Sequence, residues 1–187
     1  MDIRLLLIEK KMTKPKLSEI ANTYSLILCD IWGVVHNGNK IFPDAINTLL
    51  AYLDAGGDIC LITNAPRRSE IIRDYLFNMG VERNICNNIV SSGDCSYSWL
   101  SSIGDRPLFH IGPEKDNSLF AGLDLKKVRE FDCLECICTG FFNEYIESIG
   151  DYQKILETLL ERGIVIHCAT PDLYVNKGSI RLPCAGL

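Results

Sequence analysis

Short apolar runs alternate with helix-like segments along the first half of the chain. The apolar runs lie at residues 25–29, 58–62 and 88–91, and each predicts a buried strand. Between the first two, apolar residues recur at i, i+3, i+4 and i+7 and predict a helix: Ile46, Leu49, Leu50 and Leu53. A second helix is predicted around residues 71–79, closed by Gly80. Strands and helices that alternate with short connections indicate a parallel sheet with right-handed crossovers.

The second half repeats this mixed pattern. Strands are predicted at residues 108–111, 134–138 and 164–168, with a helix over residues 152–160 that ends at Gly163. The chain then passes through residues 170–172 and a glycine-containing turn. We therefore expect an α/β protein in which a second α/β unit follows the first sheet.

Polar residues stand where the first three strands end. Ligands of parallel α/β sheets bind beyond the carboxyl ends of the strands. Asp30, then Thr63 and Asn64, then Ser91 and Ser92 occupy those positions. We expect a carboxylate, a hydroxyl and an amide to meet in one crevice, although each alone is also typical of an ordinary turn or helix cap.

Length and charge narrow the range of partners. The chain has 187 residues and a formal net charge of −5, because 24 acidic residues outnumber 19 basic ones. This balance argues against nucleic acid and against an anionic membrane surface as partners. The sequence also lacks an apolar run long enough to span a membrane.

The nine cysteines are odd in number and irregularly spaced, which makes a poor disulfide framework. Cys29, Cys60 and Cys168 lie in apolar runs, where we expect them to be buried as small hydrophobic residues. Cys133 and Cys136 form a CxxC pair, but a structural zinc site needs a second pair, so strand packing is favoured. Reduced thiols indicate a cytoplasmic protein.

Several motifs in order carry a family resemblance. The segment Cys-Asp-x-Trp-Gly-Val-x-His-x-Gly around Asp30 resembles the first motif of the haloacid dehalogenase (HAD) superfamily, in a subgroup of its class IIA hydrolases. The segment Thr63-Asn-Ala-Pro-Arg67 resembles the second motif. Four further segments match the same subgroup: Ser-Ser-Gly-Asp at 91–94, Phe-His-Ile-Gly-Pro-Glu at 109–114, Cys-Thr-Gly at 138–140 and Ala-Thr-Pro-Asp at 169–172.

The resemblance implies a Rossmann-like core with an inserted α/β cap. It divides the chain into an N-terminal extension (1–16), the N-terminal half of the core (17–93), the cap (94–182) and the start of a return to the core (183–187). The third and fourth motifs of the superfamily, a lysine and an acidic cluster, are missing from the sequence. The chain therefore resembles a family member that is truncated at its C-terminus.

The resemblance also implies site roles. Asp30 would be the nucleophile that forms an aspartyl-phosphate, with Thr63 and Asn64 holding the phosphoryl group. Mg²⁺ would bind the Asp30 carboxylate and the backbone carbonyl of Trp32. The implied substrate is a small phosphorylated metabolite, and a homo-oligomer could form through the cap.

Trp32 departs from the pattern. Family phosphatases place there an aspartate that protonates the leaving group, and such help contributes ~10²–10⁴-fold in rate. Dehalogenases of the superfamily carry an aromatic residue at this position. His36 is the nearest alternative acid, although a turn histidine fits it equally well.

Three functions stay open. They are a phosphatase that is weak or inactive as this chain, an inactive protein that binds phosphate or metal, and a dehalogenase-like hydrolase. Glu144 and Asp172 could contact substrate, but solvated turn acids are the favoured interpretation of both.

Overall fold

A computed structural model describes residues 21–187. The predicted extension (1–16) and the first residues of the predicted core therefore lie outside the described residues. Short 3₁₀ turns connect the main elements, at Ala21–Thr23, Arg83–Cys86, Glu114–Phe120 and Ile149–Tyr152. No helix within residues 21–187 is both long and apolar enough to cross a membrane.

The first sheet consists of β1 (Leu26–Asp30), β2 (Asp58–Thr63) and β3 (Ile89–Ser91). All three strands are parallel and lie in chain order. Helices α1 (Pro43–Asp54) and α2 (Ser69–Asn78) connect them. The predicted parallel α/β arrangement is confirmed, with strand limits that shift by about one residue, as is usual at element ends.

The two faces of the first sheet differ. Helices α1 and α2 contribute Leu49 and Leu76 to a core that contains Ile59 and Leu61 of β2. Side chains alternate along a strand, so their neighbours point to the opposite face. On that face the large apolar side chains are exposed: Leu26, Leu28, Ile62 and Val90. Asp30 follows the same alternation and is also exposed.

The second sheet consists of β4 (Leu108–Ile111), β5 (Glu135–Cys138) and β6 (Ile166–Cys168), again parallel and in chain order. Helix α3 (Ser92–Ser102) joins the two sheets, and α4 (Gln153–Glu161) precedes β6. Clusters of buried residues include Leu108 and Ile137 in one and Phe109 and Cys136 in the other. Adjacent positions on each strand thus enter different clusters, so this sheet is packed on both faces.

The domain limits stay a prediction. Helix α3 begins at Ser92 and continues without a break past the predicted boundary between residues 93 and 94.

A β-hairpin ends the chain, where the sequence predicted only a turn. Strands β7 (Tyr174–Lys177) and β8 (Ile180–Pro183) pair antiparallel, with Lys177 opposite Ile180. The two-residue loop is Gly178-Ser179, and Gly178 has φ +63°. A glycine-serine pair between two strands is a hairpin signal, so the sequence contained the information.

All nine cysteines are free. Cys133 and Cys136 are completely buried, which fits packing rather than a metal site. Cys29 is buried as expected, whereas Cys60 is half-buried and Cys168 is exposed. The expectation for Cys168 was wrong because its side chain borders an open apolar cavity instead of packing into a core.

Candidate active site

The candidate site lies at the carboxyl ends of β1 and β2. Asp30 ends β1 opposite Ile62, so Thr63 is one residue further along the neighbouring strand. The Asp30 Oδ1 atom accepts a hydrogen bond of 2.8 Å from the backbone N–H of Ile31. This bond holds the carboxylate at the strand end, where its exposure leaves it open to an incoming group.

Thr63 and Asn64 form the neighbouring wall of the site. The Thr63 hydroxyl accepts a hydrogen bond of 3.1 Å from the N–H of Ala65, which fixes the turn after β2. The Asn64 side-chain amide donates to Asp172 Oδ1 at 3.3 Å. The side chain of Asn64 thus contacts the loop before the terminal hairpin.

A small cavity of about 60 Å³ lies beside these strand ends. Three predicted site residues line it: Trp32, His36 and Thr63. Arg67, Ile72 and Tyr75 also line it. Arg67 belongs to the second motif, but its position in the sequence predicted no role for it.

Trp32 makes a contact that the sequence did not reveal. Its indole N–H donates a hydrogen bond of 2.8 Å to the backbone carbonyl of Asn176 in β7. The ring also covers Gly38, where an added Cβ would lie 2.6 Å from the ring. Gly38 has φ +86°, so both space and backbone conformation require glycine there.

His36 is buried in the same wall. Its Nδ1 accepts a hydrogen bond of 2.8 Å from the N–H of Gly38, so this nitrogen carries no proton. The ring meets Trp32 edge to face at 5.0 Å and Tyr75 at 5.5 Å between centroids. Burial lowers the pKa of His36, and the charge of Asp30 only partly opposes this. The histidine is therefore a neutral side chain at pH 7.

Ser91 does not contribute to the crevice, contrary to expectation. Its hydroxyl is buried and accepts a hydrogen bond of 3.0 Å from the N–H of Asp94. This contact caps the N-terminus of α3. Because Ser91 directly precedes the helix, its hydroxyl binds a backbone N–H in the first helical turn instead of facing the crevice.

Glu144 is not a solvated turn acid. Its carboxylate pairs with Lys115, and the side chain is largely buried. This hydrogen bond and the charge of Lys115 hold the pKa of Glu144 below its usual value, although burial opposes the shift. Asp172 is exposed but accepts the hydrogen bond from Asn64 already described.

The donors at the end of β1 suit a hard divalent cation. The Asp30 carboxylate and the Trp32 carbonyl both offer oxygen, the ligand type that Mg²⁺ and Ca²⁺ prefer. Across the described part of the chain, residues 21–187, no group of three or more His, Cys, Asp or Glu side chains is arranged to hold a metal. The two oxygens therefore fit the kind of metal without forming a complete shell.

A larger cavity of about 260 Å³ lies on the second sheet. Its walls are mainly apolar, with Phe141, Tyr152 and Leu156, and include Cys138, Cys168 and Cys184. It contains no carboxylate or basic side chain. The smaller cavity has the cation of Arg67 and the Thr63 hydroxyl in its walls, while Asp30 and Asn64 are not among its lining residues. The candidate active site is therefore the ends of β1 and β2 together with this neighbouring cavity.

A protein-family model and several solved structures match this chain. The model of a family described as haloacid dehalogenase-like hydrolase matches residues 27–126. A solved hydrolase of the haloacid dehalogenase-like family from Brucella suis has a TM-score of 0.87 and 35% identity, covering 94% of this chain and 67% of its own. A search of curated proteins found no match.

Two more distant structures share the fold. One, described as a possible sugar phosphatase from Cytophaga hutchinsonii, has a TM-score of 0.75 and 18% identity, covering 92% of this chain and 64% of its own. The other is a glycerol phosphate phosphatase from Mycobacterium tuberculosis in complex with calcium, with a TM-score of 0.63 and 18% identity, covering 89% and 49%. The present chain thus spans about two thirds of the Brucella protein and less of the other two.

The family model covers more than half of the chain, and the Brucella structure is 35% identical over nearly all of it. Together these matches show that the chain belongs to the haloacid dehalogenase-like hydrolase family.

Proposed function

We propose that the chain is a phosphatase-type hydrolase that acts on a small phosphorylated metabolite through Asp30. One observation carries the proposal: an exposed carboxylate ends β1, and the Thr63 hydroxyl stands at the end of the adjacent strand. The family membership and the phosphatases among the structures of similar fold support this choice of reaction.

In the proposed reaction an Asp30 carboxylate oxygen attacks phosphorus and displaces the leaving-group oxygen. The product is an acyl phosphate on Asp30. Water then attacks this intermediate, releases inorganic phosphate and restores the carboxylate. The Thr63 hydroxyl and the backbone N–H of Asn64 would hold the phosphoryl oxygens, because fixed donors stabilise charge where it develops.

A divalent cation, Mg²⁺ by our proposal, would be held by the Asp30 carboxylate and the Trp32 carbonyl. When bound, it supplies positive charge that screens the two anions which meet in the first step.

Trp32 limits this chemistry. An indole cannot release a proton to the leaving group at neutral pH, and here its N–H is bonded to Asn176. His36 is buried and neutral, and its Nδ1 already accepts a hydrogen bond. We therefore propose weak activity, best with leaving groups that need no protonation. The same observations favour a second candidate, a protein that binds phosphate or metal without turnover.

Hydrolysis by the full chain tests both candidates. With Mg²⁺, we expect slow release of phosphate from an aryl phosphate and at least ~10²-fold slower release from an alkyl phosphate, which needs the missing acid. Asp30→Asn should reduce the aryl rate to background. Asp58→Asn is a matched control, because Asp58 lies exposed at the opposite end of the sheet.

Each result has one meaning. Equal rates with the two substrates would contradict the role given to Trp32, and an active Asp30→Asn variant would contradict the nucleophile. Phosphate binding without hydrolysis would select the second candidate.

The cellular compartment and the oligomeric state of the protein are also proposals. The free state of all nine cysteines supports a reducing compartment such as the cytoplasm. Assembly of a homo-oligomer through the second α/β unit stays a prediction.

A further inference from the structure

Arg67 brings a positive charge to a cavity whose other walls carry none. Trp32, Tyr75 and the neutral His36 line the cavity together with Thr63. The side chain of Arg67 keeps 36% of its surface exposed. A guanidinium is suited to bind a planar anion, because its donors match two oxygens at once.

The backbone of Arg67 is fixed by α3. Gly93 lies so close that an added Cβ would be 2.2 Å from the carbonyl carbon and oxygen of Arg67. The Gly93 N–H also donates a hydrogen bond of 3.2 Å to the carbonyl of Ala65. The Ser-Ser-Gly-Asp segment at 91–94 thus positions the loop that carries Arg67.

The side chain of Arg67 is oriented by a buried carboxylate. Asp116 Oδ1 lies 3.6 Å from Arg67 Nε, and the Asp116 side chain is only 3% exposed. Burial raises the pKa of Asp116, while the charge of Arg67 and a hydrogen bond from Thr139 lower it. Thr139 in turn lies 2.9 Å from His110 Nε2.

This network gives a role to two motifs that the catalytic proposal leaves unused. His110 belongs to the segment at 109–114 and Thr139 to the segment at 138–140, and both lead to Asp116. The closest approach of the ion pair is through Nε, and within residues 21–187 the guanidinium makes no side-chain hydrogen bond to an acceptor other than Asp116. The terminal nitrogens of Arg67 can therefore bind a ligand.

We propose that Arg67 binds a carboxylate of the phosphorylated substrate, and that Asp116 is the positioning residue that orients it. The proposal rests on the proposed function, because the phosphoryl group would occupy the end of β1 and β2 near Thr63. The cavity volume of about 60 Å³ admits a group the size of a carboxylate. The substrate class is thus a small phosphorylated carboxylic acid.

Two probes that differ in one group test this substrate class. Calorimetric titration of the full chain with 3-phosphoglycerate and with glycerol 3-phosphate, both with Mg²⁺, compares a carboxylate with a hydroxymethyl group in an otherwise similar molecule. We expect 3-phosphoglycerate to bind about 10- to 100-fold more tightly, the usual value of a charge-assisted hydrogen-bonded pair.

Substitutions assign the preference to its residues. Arg67→Gln should abolish the preference, and Asp116→Asn should reduce it while the variant stays folded by circular dichroism. Arg68→Gln is the matched control, because Arg68 pairs with Glu70 and does not line the cavity; it should keep the wild-type preference.

The outcomes separate the two proposals. Equal affinity of the wild type for both probes, or a preference that persists in Arg67→Gln, would overturn the role of Arg67 and leave the proposed function standing. Failure of the wild type to bind either probe would overturn the substrate class, and the aryl phosphate assay would then decide the proposed function by itself. Tighter binding of a bisphosphate than of 3-phosphoglycerate would replace the carboxylate by a second phosphate and contradict the substrate class.

Discussion

The first sheet (β1–β3) and the second sheet (β4–β6) are both three parallel strands in chain order, yet their carboxyl ends differ. At the first, Asp30 is exposed and Thr63 borders an open cavity. At the second, Thr139 follows β5 but is buried and bonded to His110 and Asp116.

The carboxyl end of the first sheet is therefore a reactive edge, and the carboxyl end of the second sheet is a supporting edge. Exposed polar groups at a strand end can contact a ligand, whereas buried polar groups must satisfy one another. The second sheet uses its polar residues to hold Arg67 beside the first sheet. Identical strand topology therefore does not indicate identical function, because the burial of the terminal side chains decides which edge can react.

We expect the largest effect from a substitution that disrupts the contact between α3 and the loop that carries Arg67. Gly93→Ala places a methyl group 2.2 Å from the Arg67 backbone, so we expect a loss of about 3 kcal/mol in unfolding free energy and loss of phosphate binding. Urea unfolding and calorimetric titration with inorganic phosphate measure these changes. Gly150→Ala is the control, because its nearest contact at 3.6 Å leaves room for the methyl group. Equal stability of the two variants would contradict the close contact.

A matched pair of threonines compares the edges directly. Thr139→Val removes a buried hydroxyl from His110 and Asp116, so we expect a loss of about 1–3 kcal/mol in unfolding free energy. Thr63→Val should cost less than about 1 kcal/mol, because the residue is half-buried, but it should weaken phosphate binding. Urea unfolding and phosphate titration of both variants measure the contrast. Equal losses of stability and equal losses of phosphate binding in the two variants would contradict the different roles of the two threonines.

His110 should make the supporting edge sensitive to acid. Burial, with a smaller contribution from Lys127, lowers the pKa of His110 to about 4, so the fold favours the neutral ring. Its stabilising contribution is complete above pH 6.5 and is lost as the pH falls from 6.5 through 4, by about 2 kcal/mol after allowance for partial exposure.

The His110→Gln variant isolates this contribution. His36 and His167 also have lowered pKa values and act in the same direction, while the raised pKa of Asp116 acts in the opposite one. The slope of unfolding free energy between pH 7 and pH 4 should therefore become shallower in the variant without disappearing. An unchanged slope would show that His110 does not titrate as the structure indicates.

The smallest effect concerns the hairpin that Trp32 contacts. Trp32→Phe keeps an aromatic ring over Gly38 but removes the donor to Asn176, which should cost about 0.5–1.5 kcal/mol. Amide hydrogen exchange should become faster in β7 and β8. Trp99→Phe is the control, since Trp99 stacks on His167 in the second unit. Unchanged exchange in β7 after Trp32→Phe would contradict the contact.

Local sequence patterns predicted most of the fold but few of the contacts that hold the site residues in place. Apolar runs in the sequence predicted strands β1 to β6. The ends of the first two runs also located Asp30 and Thr63 as site residues. The partners of Trp32 and Arg67 are 144 and 49 positions away, so no local pattern could reveal them. The buried state of Asp116 was equally hidden, because it lies in a polar 3₁₀ turn that the sequence alone would place at the surface.

Trapping of the covalent intermediate tests the central claim most directly. The full chain would be incubated with Mg²⁺ and acetyl phosphate, whose acetate leaving group needs no acid, then quenched in acid and digested for mass spectrometry. The account predicts one added phosphoryl group on the peptide that contains Asp30, removed by hydroxylamine, present in Asp58→Asn and missing in Asp30→Asn. A wild-type chain without this group on Asp30, or with it on another residue, would contradict Asp30 as the nucleophile.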